Sequence, residues 1–333
     1  MAENSRGAVS GRQVLLYFAW SRPQETGAPL TVIDDRFPAI FELRRLFYPD
    51  FEALADPAQA DPGIAGFLDH VQKPNFQGFI DQARAQTGRE VVVAERVADD
   101  GGEARLDPAL IGNADTIVVI SFDSLRTGQS ASPAEVEATR RFLDDPDHLI
   151  FVCPHHDIGE ALGAAAGERL AVQSAEHRHH GDRSTPPRQG FGGFARTLLA
   201  GLGVPVENRF GLRPALDPAG APAPIEVERS RDDLGLLEGV ATFNLHPHLP
   251  QLERVGEAAE RMHVLARQQI DLTAPPHPAF QGRDSFDALL QSNPGAFRGR
   301  LLVSDTTLFS STVGGLDSLR RFWANAVQRP RRT

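Results

Sequence analysis

Four short apolar runs rich in β-branched residues punctuate the chain, each ending in polar or turn-forming positions: Val14 to Ala19, Thr116 to Ser121, Leu149 to Cys153 and Leu301 to Ser304. Runs of this length and character predict buried strands. Weaker signals predict two more, at Ala241 to Leu245 and within "EVVVAERV" (residues 90–97). Between the second and third runs lies "SPAEVEATRRFLDD", in which Ser132 stands at the N-cap, Pro133 at the first helical position, and Val136, Phe142 and Leu143 form an apolar stripe. That pattern predicts a capped helix. Strand, helix and strand make a βαβ unit, and "DSLRRFWANAVQ" after the fourth run predicts a closing helix. The alternation predicts an α/β protein with a doubly wound, mostly parallel sheet.

Other stretches break this rhythm. Residues 21–90 read as helices interrupted by prolines, a helical excursion over the sheet. Residues 173–193, "QSAEHRHHGDRSTPPRQGFGG", are polar and rich in Gly and Pro, which predicts a long lid-like loop. Residues 214–224 read as another surface excursion, no repeat of fixed period occurs, and residues 1–333 are expected to form a single α/β domain.

Composition narrows the function classes. A formal net charge of −10 argues against a nucleic-acid footprint, which needs clustered basic residues. One cysteine excludes an internal disulfide framework and any CxxC metal cluster. The first residues lack a signal-peptide pattern and no apolar run reaches the roughly 18 residues of a membrane span. The expectation is a soluble cytoplasmic protein with a small-molecule substrate and neither nucleic-acid nor membrane partners. Lys73 is the only lysine, so there is no GKS/GKT phosphate loop, and a Schiff base could form nowhere else.

If the strands are parallel, their carboxyl ends share one edge of the sheet, and polar residues gather at those positions. Trp20 and Ser21 follow the first run, Asp123 and Ser124 the second, His155, His156 and Asp157 the third, and Asp305 and Thr306 the last. His246 and His248 follow the weak strand at 241–245. Imidazole and carboxylate are common ligands of Zn, Fe or Mn, and the i, i+2 spacing of His246 and His248 points both rings the same way in extended backbone. His155 and His156 are adjacent and would point apart, so one is expected to be a ligand and the other an acid or base. Asp157 also suits the N-cap of a helix beginning just after it. His177, His179, His180 and Asp182 form a second group, which reaches the site only if their loop folds over the strand ends. His70, His148, His263 and His277 have no convergent company in the sequence.

Two stretches carry a resemblance. "ADTIVVISFDSLRTGQSASPAEVEATRRFLDDPDHLIFV" and "GRLLVSDTTLFSSTVGGLDSLRRFWANAV" resemble segments of class I glutamine amidotransferase-like proteins, including ThuA-like relatives and non-catalytic branches. The resemblance covers about half the chain and implies a flavodoxin-like three-layer αβα fold with any site at the carboxyl ends of the strands. It would put the family's catalytic cysteine at Cys153. The next residue is Pro154, which lacks the N–H that helps form an oxyanion hole at such an elbow.

The resulting expectation is a hydrolase-type enzyme acting on a small polar molecule. His246, His248 and His156 are the candidate metal ligands, and His155, His156 and Asp157 the candidate catalytic groups. Trp20, Ser21, Asp123, Arg209 and Asp305 are the candidate substrate contacts, with Arg213 a further anion-binding candidate. The alternatives are a non-catalytic binding module and a cysteine amidase, the latter disfavoured by Pro154.

Overall fold

A computed structural model describes residues 11–26, 73–155, 165–181, 190–280, 282–311 and 314–331. The four strands expected from the apolar runs form the middle of an eight-stranded sheet. They are β1 (Val14–Ser21), β3 (Thr116–Ser121), β4 (Leu149–Pro154) and β12 (Arg300–Ser304). With β2 (Val92–Val97), β7 (Glu226–Val227), β10 (Met262–Gln269) and β11 (Ser285–Ser292), the order across the sheet is β2-β1-β3-β4-β12-β11-β10-β7. The pairs from β2 to β12 are parallel; those from β12 to β7 are antiparallel.

The central strands are buried along their whole length because helices cover both faces. On one face pack α1 (Gln77–Thr87) and the closing helix α5 (Leu316–Gln328), which contribute Phe79, Phe322 and Trp323 to a core with Phe18, Phe151 and Phe309. On the other pack α2 (Pro133–Phe142) and α4 (Gly193–Gly201), with Phe142, Phe194 and Leu198 against Tyr17, Val119 and Val152. The predicted cap of α2 is present: Ser132 Oγ accepts from Glu135 N at 3.3 Å and the Glu135 carboxylate accepts from Ser132 N at 2.9 Å. Glu135 also meets Arg96 of β2 in an ion pair buried under α2, beside the Tyr17 hydroxyl.

Three features differ from the sequence reading. Residues 241–245 form no strand, although Phe243 and Asn244 are buried. The β10–β11 pair is additional; "MHVLARQQ" and "SFDALLQS" mix polar and apolar positions, as suits antiparallel strands near the sheet margin. The first part of the expected loop at 173–193 is instead helical, while residues 182–189 lie outside the described residues: α3 (Ala166–His180) ends at Gly181, whose φ of 86° is a left-handed C-terminal stop. Its inward stripe, Gln173, Glu176, His177 and His180, follows the i, i+3, i+4, i+7 spacing of a buried helix face but is polar throughout.

Of the excursion expected at 21–90, residues 27–72 lie outside the described residues, and the rest includes Arg22–Thr26, Lys73–Asn75 and α1, all helical. Among the described residues, no helix is long and apolar enough to cross a membrane.

Candidate functional site

β10 and β12 both run antiparallel to β11, so β10 ends at the edge where β1, β3, β4 and β12 also end. The connection after β10, residues 270–284, therefore projects beyond that carboxyl edge and carries His277 with it. The end of α3 lies against this connection. His179 Nδ1 donates to Pro275 O at 2.8 Å, and His179 Nε2 accepts from Arg213 N at 3.0 Å. Both ring nitrogens are thus committed to backbone, one as donor and one as acceptor, which fixes a neutral tautomer. Burial, aided by the nearby His180 and His277 imidazoles, holds His179 down to about 4.

Beside it, Glu176, His180 and His277 are all buried and present ligand-type atoms within 4.8 Å of one another. Glu176 Oε1 is 3.7 Å from His180 Nε2 and 3.5 Å from His277 Nε2. Two short ladders bring the rest of the group in. The pair β5 (Val206–Glu207) with β9 (Glu253–Arg254), and the pair β6 (Gly211–Leu212) with β8 (Leu249–Pro250), fold residues 206–254 back on themselves. Gly211 N then donates to Glu176 Oε1 at 3.0 Å, while Gly211 O accepts from His180 Nε2 at 2.8 Å. His248, immediately before β8, packs against His180 with ring centroids 4.3 Å apart and the rings tilted at 45°, and the His246 ring lies 5.4 Å from that of His248. His277 is stacked on Phe210 at 4.9 Å, and its Nδ1 accepts from Ala279 N at 3.1 Å.

Burial alone would raise the Glu176 carboxyl. The His277 imidazole, the His180 ring and the Gly211 amide outweigh it and hold the group below the ordinary glutamate value. The result is a buried carboxylate ringed by imidazoles. A cleft of about 400 Å³ opens beside it, with His179, His277, Ile270, Pro275 and Phe280 among its walls and Arg283 at its rim.

The structure separates the residues singled out in the sequence. His246 and His248 join His180 rather than standing at a strand end. His155 lies directly after β4, where its Nδ1 meets Thr306 Oγ1 at 2.8 Å, its ring packs on Phe122 and Phe191, and its carbonyl accepts from Asn208 Nδ2. A polar chain leads from that end of the sheet toward the histidines. Asp305 Oδ1 accepts from Thr307 Oγ1 at 2.5 Å, Asn244 Nδ2 donates to Thr307 Oγ1 at 2.9 Å, and His246 N donates to Asn244 Oδ1 at 2.9 Å. His156 and Asp157 lie outside the described residues, as does Asp182.

The other candidates hold the fold together. Asp123 is fully buried, accepts from Ser121 Oγ at 2.5 Å and caps α4 by accepting from Phe194 N at 3.0 Å. Asp305 accepts from Thr307 N at 2.8 Å, capping the short turn Thr306–Phe309. Trp20 is buried, stacks on Phe18 and donates from Nε1 to Glu95 Oε2 at 2.8 Å; Arg22 and Lys73 pair with the same carboxylate. Ser21 is the buried last residue of β1. Arg209 pairs with Glu253 at 2.8 Å and Arg213 with Asp271 at 3.1 Å.

Cys153 is fully buried with its Sγ 3.4 Å from Ser304 Oγ, and burial pushes the thiol well above its ordinary value. It is a packed thiol rather than a thiolate at an open elbow. His277 and Glu176 were missed in the sequence. Glu176 and His180 do have the i, i+4 spacing of one helix face, but His277, about a hundred residues on, carries no local signal.

In comparison with known proteins, no family model matches the chain and no curated protein matches it.

Proposed function

We propose that the chain is a hydrolase-type enzyme acting on a small polar molecule bound in the cleft beside His277. The nucleophile is water, activated at the histidine-rich cluster or by a divalent metal ion held there. The observation that carries this reading is His277: it lines the cleft on one side and faces the buried Glu176 carboxylate at 3.5 Å on the other. A carboxylate facing an imidazole at a pocket wall supports water activation there, by the cluster or by a metal ion held between the two. The mostly parallel sheet with its site at the carboxyl edge supports a flavodoxin-like assignment, and the two stretches flanking β4 and β12 support kinship with class I glutamine amidotransferase-like proteins without their cysteine chemistry. The small-molecule partner and a cytoplasmic location belong to the same proposal.

The test is turnover by the full chain of a panel of small carboxylic esters, amides and phosphate monoesters. Hydrolysis of at least one class, reduced about 100-fold or more in His277→Gln, is expected. No turnover across the panel, or an unchanged rate in the variant, overturns the reading.

A ligand-binding module without turnover is the second reading. It is favoured by His179, both of whose nitrogens are already spent on backbone. A ligand that binds the cleft and is recovered unchanged would select it.

A further inference from the structure

We infer that Glu176, His180 and His277 form a binding site for one divalent transition-metal ion of zinc type. The inference deepens the proposed activity and rests on the same cluster, but it makes a separate claim about what occupies the cluster.

Spacing is the first argument. His277 Nε2 and Glu176 Oε1 stand 3.5 Å apart, too far for a good hydrogen bond, and His277 Nε2 is buried with no hydrogen-bond partner among the described residues. Zinc binds imidazole nitrogen and carboxylate oxygen at about 2.0 to 2.2 Å, so two ligands of a tetrahedral ion lie roughly 3.3 to 3.5 Å from each other. The gap is the width of a shared ion rather than of a shared proton.

Ligand orientation is the second. Metal-bound histidines hold their ring by donating the remote N–H to a carbonyl or carboxylate. His180 donates its Nε2–H to Gly211 O at 2.8 Å, which leaves Nδ1 as its ligand nitrogen, and the N–H of the same glycine fixes the Glu176 carboxylate at 3.0 Å. One backbone unit therefore positions two of the three ligands. His277 is held by its stack on Phe210, while its Nδ1 accepts the Ala279 amide at 3.1 Å. For Nε2 to coordinate, the ring proton must sit on Nδ1, so metal loading releases the Ala279 amide from that bond.

Charge and chemistry are the third. A carboxylate buried beside two imidazoles is a centre that a cation can compensate. Two imidazoles and one carboxylate suit zinc and its neighbours, whereas calcium and magnesium prefer all-oxygen shells and copper(I) prefers sulfur. The His₂Glu set is also that of hydrolytic zinc sites, which leave a further position for water. Of the three ligands, His277 also lines the cleft.

The full chain, produced without a histidine tag or nickel column and stripped with chelator, is titrated with Co²⁺ followed by visible absorption, and with Zn²⁺ by competition. One equivalent with intense four-coordinate cobalt bands is expected. His277→Gln and Glu176→Gln are expected to weaken binding about 100-fold or more. His148→Ala, at the opposite edge of the sheet beside the start of β4, is expected to titrate like the parent. Near-ultraviolet circular dichroism establishes that each variant is folded; should Glu176→Gln not fold, His277→Gln, on the connection between β10 and β11, decides. Parental affinity in His277→Gln, or no saturable one-to-one binding by the parent chain, overturns the site. Stoichiometric metal without hydrolysis would leave this inference standing and remove the proposed activity; hydrolysis by a protein that shows no saturable metal binding would do the reverse.

Discussion

Gly211 and His180 are joined by a 2.8 Å hydrogen bond from the imidazole Nε2 to the glycine carbonyl, and no side chain fits on the glycine that makes it. A Cβ at Gly211 would stand 2.5 Å from the His248 carbonyl oxygen, with the rest of that backbone unit within 2.9 Å. The close approach belongs to the β6–β8 ladder, which also brings His248 to the cluster. Gly211→Ala must push the two strands apart. A loss of roughly 1 to 3 kcal/mol is expected in urea unfolding; parental stability would show that the ladder yields freely.

Arg96 and Glu135 are almost completely buried as a pair, and Glu135 also accepts from Leu106 N at 3.2 Å. Glu135→Ala leaves the guanidinium buried without its counter-charge and removes half of the α2 capping box. A destabilisation of about 3 to 5 kcal/mol is expected. Replacing both partners by apolar residues, Arg96→Met with Glu135→Leu, should recover a substantial part of it. A double variant as unstable as the single one would mean that the cap, not the uncompensated charge, dominates.

Cys153 should be chemically quiet. Its thiol is buried and its acidity is suppressed by that burial, so the native protein is expected to resist iodoacetamide at neutral pH and to react fully once unfolded. Cys153→Ser is expected to keep any hydrolytic turnover and any bound metal. Rapid stoichiometric alkylation of the folded chain would contradict the structure at this position.

Acid should destabilise the protein in two successive windows. His179 is held near 4 in the folded state against 6.5 ordinarily, so the unfolded chain takes up the proton first. Its contribution is complete above 6.5 and declines as the pH falls toward 4. Glu95 works against its own burial. Its bonds from Arg22, Lys73 and Trp20 hold it at about 2 against 4.5, so its contribution is complete above 4.5 and is lost as the pH falls toward 2. Unfolding free energy measured against pH should show both declines, and Glu95→Gln should shrink the lower one while leaving the upper one unchanged.

The centre of the fold was legible because burial on both faces leaves no choice of residue type. β3, β4 and β12 are apolar at nearly every position, and Ser132, Pro133 and Glu135 mark the start of α2 in the chain itself. Legibility fails where polar groups are buried by pairing with one another. The inner face of α3 has helical spacing, yet its residues are glutamine, glutamate and histidine, so composition spoke for a loop while geometry made a helix. The residues at 241–245 are hydrophobic enough for a strand but pack without ladder partners, Phe243 against Phe322 and Asn244 on Thr307. The candidate site was half legible for the same reason. His246, His248 and His180 were conspicuous as clustered histidines; their convergence with His277 is a product of strand order that no local spacing encodes.

That strand order has a consequence for biosynthesis. β4 and β11 are neighbours only through β12, whose residues come after both in the chain. A polypeptide leaving the ribosome amino end first can assemble β2-β1-β3-β4, but one flank of β4, with its run of Leu149, Ile150, Phe151 and Val152, stays open until residue 304 has emerged. Until then the β10–β11 hairpin has no seat, and the histidine cluster it completes cannot close. An exposed apolar strand edge is a template for mispairing, and this chain carries one between the synthesis of residue 154 and that of residue 304.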